Sequence, residues 1–219
     1  MSDEYLKVCE IFYSLDGEGP RAGYPATFIR LAGCRLHCSY CDTRYANETP
    51  GQNMGVGEVV QIAMGYGCRN ITLTGGEPLE QDTALPLVRA LGECGAHVII
   101  ETNGSKDITP FLLPFTTICM DWKTPSSGMV KEMLEENLLK LRLCDVLKIV
   151  VSKEDLPFVS DFLERNPLLP CPVYLSPVWG GILLEDLAAF VKASYQYPNN
   201  LRMQLQMHKI IWGISKRGV

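Results

Sequence analysis

The sequence predicts an α/β fold, a mainly parallel sheet or a partial barrel, in a single domain of 219 residues. Short β-branched or apolar runs recur at 26–31, 70–74, 97–101, 117–121, 146–151, 172–176 and 201–205. Between them lie stretches with helical spacing. Leu184, Leu187, Ala188 and Val191 fall at i, i+3, i+4 and i+7, and Leu156, Val159 and Leu163 mark a similar stripe one unit earlier. Strand–helix alternation of this kind implies parallel strands joined by crossover helices. Seven strands in so short a chain are too few for a full eightfold barrel, which usually takes about 250 residues. No internal repeat, low-complexity tract or linker interrupts the pattern, and the polar stretch 47–57 reads as a loop.

Composition narrows the function classes. Lys and Arg number 20 against 25 Asp and Glu, a formal charge of −5, with no basic cluster to grip a phosphate backbone or an anionic membrane. No apolar run approaches the roughly 20 residues that cross a bilayer. The opening Met-Ser-Asp-Glu-Tyr-Leu-Lys lacks the basic and apolar regions of an export signal, so a soluble cytoplasmic protein is expected. Nine cysteines are an odd number in a chain without that signal, which argues against a disulfide framework. Cys9, Cys68, Cys94, Cys119, Cys144 and Cys171 stand alone and read as small buried hydrophobes.

The other three cysteines fall within eight residues: Gly33-Cys34-Arg35-Leu36-His37-Cys38-Ser39-Tyr40-Cys41-Asp42-Thr43, directly after a strand. Their spacing lets one loop present three thiolates to one centre, and thiolate-rich sites select zinc or iron–sulfur clusters. Structural zinc takes a closed set of four ligands, and only His37 is at hand as a fourth. Three thiolates on a cluster instead leave one iron open to chelate another ligand. In α/β folds ligands bind at loops leaving the C-terminal strand ends, where this loop lies.

The C-x3-C-x2-C spacing followed by Asp-Thr resembles the signature of the radical S-adenosylmethionine (SAM) superfamily. The resemblance implies a [4Fe–4S] cluster on Cys34, Cys38 and Cys41, with SAM on the open iron. Thr74-Gly75-Gly76-Glu77-Pro78 is similar to the superfamily loop that binds the SAM amino group, and glycines expose backbone amides for such a role. Tyr40, Cys41 and Asp42 resemble the segment that meets the cofactor, Tyr40 through its backbone at the adenine. Glu101-Thr102-Asn103-Gly104 and Asp121-Trp122-Lys123 resemble further SAM-facing loops, although a helix cap and a surface turn would read the same way.

The segment from Glu10 to Gly23, the run from Thr27 to Cys34, and the late Gln206-Met207-His208-Lys209 narrow the likeness further. Together they resemble the 7-carboxy-7-deazaguanine synthase family over nearly the whole chain. That resemblance implies a reduced, open (β/α) barrel, usually as a homodimer served by a cellular electron donor such as flavodoxin. The implied reaction contracts the ring of 6-carboxy-5,6,7,8-tetrahydropterin to 7-carboxy-7-deazaguanine and releases ammonia, in the queuosine type of 7-deazapurine biosynthesis. Hydrogen is taken from C6 of the pterin and later returned, so that SAM is regenerated. Leu15, Asp16, Gly17 and Glu18 resemble the pterin-contacting turn, with Asp16 standing where many relatives have Gln. Arg30, Thr74 and His208 resemble further substrate contacts. Thr43 resembles a Mg2+ ligand, fitting a cation that keeps several waters and uses few protein oxygens. A glycyl-radical-enzyme activase shares the cysteine spacing but lacks a pterin turn, and a zinc-binding module is the non-catalytic alternative.

Overall fold

Side chains alternate between two faces of a strand, and here that alternation separates packing from chemistry. A computed structural model describes residues 5–196 and 200–219; the opening residues 1–4, part of the stretch read for an export signal, lie outside them. The chain begins with β1 (Tyr5–Leu15) and β2 (Pro25–Leu31). After the cysteine loop come α1 (Tyr45–Glu48), β3 (Gln52–Gly55) and α2 (Val56–Gly65). The remainder runs β4 (Asn70–Gly75), α3 (Ala84–Glu93), β5 (His97–Thr102), β6 (Thr116–Trp122), β7 (Val146–Val151), α4 (Leu156–Arg165), β8 (Val173–Pro177), α5 (Leu184–Ala193), β9 (Arg202–Met203) and α6 (Met207–Ile211).

One nine-stranded sheet holds them in the order β3-β1-β2-β4-β5-β6-β7-β8-β9. β1 is antiparallel to β2 and β3, and every pairing from β2 to β9 is parallel. The sheet does not close, so the architecture is the expected open partial barrel. It is reduced as well: 3-10 turns, not α-helices, carry the crossovers from β5 to β6 and from β6 to β7. No helix among the described residues is long and apolar enough to cross a membrane.

On the outer face Ile29, Leu31, Ile71, Leu73, Val98, Ile100, Ile118, Met120, Leu147 and Ile149 pack against Leu87 and Leu91 of α3, Val159 and Leu163 of α4, and Leu187 of α5. Each fully buried aliphatic side chain of this kind contributes about 1.5–3 kcal/mol. The inner face carries a small apolar floor of Ile99, Cys119, Val146 and Tyr174. Around that floor stand Arg30, Thr74, Glu101, Asp121 and Lys148, polar side chains of β2, β4, β5, β6 and β7.

Several expectations need correction. Segment 47–57 is not a loop, since it holds the end of α1, all of β3 and the start of α2. β1 was not expected at all. Leu184, the first residue of α5, is 49% exposed, whereas Phe190 further along the helix packs on the core. Of the six single cysteines only Cys119 and Cys171 are buried; Cys94 and Cys144 are exposed, and Cys9 and Cys68 half-buried.

Candidate active site

The cysteine loop leaves β2 at Leu31 and is pinned along its length. Gly33 turns the chain at a φ of +92°, which glycine adopts without steric cost, and its N–H donates to the Ala46 carbonyl at 2.9 Å. Arg35 N–H donates to Glu80, and Ser39 bonds through its backbone to Ser127 and through its hydroxyl to Ser126. Leu36 is buried between these anchors. Cys34, Cys38 and Cys41 thereby line one cavity of about 540 Å³. His37 is exposed and lies outside that cavity, so it does not complete a tetrahedral set with the three thiols.

Among the described residues no three His, Cys, Asp or Glu side chains are gathered tightly enough for one ion. A [4Fe–4S] cluster takes each thiolate on a separate iron and requires only a common cavity, so the donor set fits it. Burial pushes the Cys34 thiol up to about 11, with Glu77 and Glu80 adding to the effect, so loading must draw that proton off. Asn103 Nδ2 lies 3.5 Å from Cys34 Sγ, and Thr43 Oγ1 lies 3.8 Å from Cys41 Sγ.

The expected cofactor residues divide cleanly. Tyr40, Asp42, Gly76, Asp121 and Lys123 line the cavity with Cys41. Asp121 Oδ2 accepts from Lys123 Nζ at 2.9 Å, whereas Asp121 Oδ1 is buried without a partner among the described residues, an acceptor available to a ligand. Tyr40 donates to the Val150 carbonyl and lies under the Lys123 ammonium, 5.9 Å from the ring centre. Trp122 does not reach the cavity. It alternates to the opposite face of β6 and packs on Phe162 in the core, ring centres 5.4 Å apart.

Glu77 is likewise absent from the wall. Its buried carboxylate accepts from Leu79 N, Thr102 Oγ1 and Asn103 N at 3.0, 2.7 and 2.6 Å, tying the loop after β4 to the end of β5. The two glycines before it serve that packing. A Cβ on Gly75 would strike the Leu31 carbonyl, and one on Gly76 the Gly33 carbonyl.

Every expected substrate residue lies on the same cavity: Leu15, Asp16, Gly17, Glu18, Arg30, Thr74 and His208. Asp16 is 3% exposed and committed to the fold, accepting from Arg21 Nε at 3.1 Å and from Thr72 Oγ1 at 2.9 Å. Arg30 spends only Nε, on Glu10 at 2.8 Å, and rests near the Phe12 and Tyr45 rings. Its terminal nitrogens make no hydrogen bond among the described residues. Thr74 donates to Glu101 at 3.2 Å, and burial raises the Glu101 carboxyl to about 7 against the pull of Lys148. Glu18 pairs with Lys148 at 2.9 Å. Burial alone would raise its pKa, but Lys148 and then His208 hold it below the ordinary value. His208 packs so close to Gly17 that a Cβ there would lie 2.5 Å from Nδ1.

Sequence reasoning missed Lys148, although a lysine inside the otherwise apolar strand Val-Leu-Lys-Ile-Val-Val is a visible signal. It also missed Glu10, Tyr45 and the terminal stretch, where Ile214, Lys216, Arg217, Gly218 and Val219 line the cavity and Arg217 lies 4.1 Å over the Tyr45 ring. Nothing in those last residues pointed to a site.

Residues 28–112 match the model of the Radical SAM superfamily. The chain is 41% identical over 220 aligned residues to a 7-carboxy-7-deazaguanine synthase of Clostridium acetobutylicum, covering 97% of this chain and 99% of that one. It is 43% identical to a protein of the same name from Methanospirillum hungatei, covering 94% and 85%. The crystal structure of QueE from Escherichia coli superposes with a TM-score of 0.72 at 25% identity, over 93% of this chain and 95% of that one.

Proposed function

Since the chain belongs to the 7-carboxy-7-deazaguanine synthase family of radical SAM enzymes, we propose that it converts 6-carboxy-5,6,7,8-tetrahydropterin to 7-carboxy-7-deazaguanine and ammonia. One observation carries this reading: three cluster thiols and the Glu18–Arg30 wall face a single cavity. Cys34, Cys38 and Cys41 would hold the [4Fe–4S] cluster, while Tyr40, Asp42, Gly76, Asp121 and Lys123 would seat SAM. With SAM bound, the reduced cluster supplies the homolytic cleavage that opens the reaction.

The chain's own groups bind and orient the pterin. The free edge of the Arg30 guanidinium suits its carboxylate, because the fork of N–H donors matches two oxygens. Glu18, kept ionised by Lys148, suits the N–H edge of the ring. Thr43, two residues beyond the last cluster cysteine and on the cavity wall, would offer its hydroxyl to Mg2+, a cation that keeps several waters and needs few protein oxygens. Flavodoxin or a similar protein is the reductant, the working form is a homodimer, and the setting is the cytoplasm, all in keeping with the family.

The test is an anaerobic assay with SAM, a reductant, Mg2+ and the pterin, read by mass spectrometry. Deazaguanine should form without matching loss of SAM, and a chelator should suppress it. Failure to form any deazapurine, with a glycyl radical appearing on a partner protein, would transfer the assignment to an activase.

A further inference from the structure

Between the cysteine loop and the pterin turn runs a continuous polar chain that neither role explains. Lys209 Nζ, on α6, is 2.6 Å from Asp42 Oδ2, the residue directly after Cys41. The same ammonium donates to Gln206 Oε1 at 2.6 Å. Gln206 Nε2 donates in turn to Glu18 Oε1 at 2.9 Å, and Lys148 occupies Glu18 Oε2. Gln206 and Lys209 are 8% and 9% exposed, so water competes little for these contacts. Neighbouring bonds lay the whole segment against the turn: Met207 N to the Gly17 carbonyl at 3.0 Å, and Gln204 with Gly19 through bonds of 2.7 and 2.9 Å.

We propose that Gln206 and Lys209 are positioning residues that lock the pterin turn to the cluster loop, so that substrate and cofactor are held at a fixed separation. The proposal rests on the functional reading above and extends it to two residues on the same cavity wall that act through Glu18 and Asp42. Alone, the Glu18 carboxylate would rotate about its terminal bond. With one protein donor on each oxygen its remaining lone pairs point in set directions. Lys209 supplies the second half by fixing Asp42, and with it the backbone carrying Cys41 and Thr43. Hydrogen transfer between two bound molecules is sensitive to misplacement of about 1 Å, and an interlock of this type suppresses it.

Lys209→Met and Gln206→Met each cut the chain, and Lys209→Arg keeps the charge. Because a hydrogen bond to a charged group is lost, each Met variant should raise the pterin KM about tenfold. Each should also release more 5′-deoxyadenosine per product, with iron content unchanged. The double variant should be no worse than the worse single one, since the contacts act in series, and Lys209→Arg should recover most of the loss. Hydrogen–deuterium exchange, which needs no substrate, should quicken at both 16–19 and 39–43 in either Met variant. The proposal is overturned if exchange rises only beside the substituted residue, if the two effects multiply, or if Lys209→Arg is as poor as Lys209→Met. Exchange coupled as described but without pterin turnover by the wild type would uphold the interlock and remove the substrate assignment.

Discussion

Arg30 condenses the site's logic into one side chain. Glu10 takes its Nε, and Phe12 and Tyr45 lie 6.0 and 5.8 Å from its guanidinium carbon, so the terminal nitrogens are aimed and not spent. Losing the proposed charge-assisted contact of those nitrogens with the pterin carboxylate should cost about 1.5–3 kcal/mol, roughly ten- to a hundredfold in kcat/KM for the pterin. Arg30→Met should show this in anaerobic kinetics while leaving the SAM dissociation constant unchanged. Arg30→Lys should recover little, because an ammonium keeps the charge but not the planar fork. Full activity in Arg30→Lys would contradict the paired contact. Arg30 was legible in the sequence because it sits in a motif next to Cys34. Glu10, 20 positions away in the chain, was not, since only the antiparallel register of β1 and β2 places it opposite Arg30.

Among the elements, the loop after β4 depends on Glu77. Burial pushes its carboxyl up to about 7, against the pull of three donors. An unfolded Glu titrates near about 4.3, so across the window from there to 7 the folded state holds a proton that the unfolded chain has released. Stability therefore falls as pH rises through that window. Melting curves of the iron-free protein from pH 5 to 8 should show this slope in the wild type and not in Glu77→Gln, so that wild-type stability measured relative to that variant falls with rising pH. A relative stability that rises would refute the assignment. The parallel strands could be read from the sequence because burial on both faces makes them short apolar runs. β1 could not, because a register shift between Val8 and Glu10 breaks its period-two pattern. β3, Gln-Asn-Met-Gly, is too short and polar to announce itself. The same alternation explains Trp122, which a motif reading placed at the cofactor and the strand turns into the core.

For the whole molecule, the central claim is that one cavity brings SAM and the pterin within hydrogen-transfer reach. The strand ends whose inner faces are polar, the glycine-packed loop after β4 and the C-terminal stretch together wall that cavity. Deuterium at C6 of the pterin tests the claim most directly. With C6-deuterated substrate, the account predicts deuterium at the 5′-carbon of recovered SAM while 7-carboxy-7-deazaguanine accumulates. Deazaguanine forming with recovered SAM free of deuterium would mean that the two ligands do not meet there, and would contradict the account.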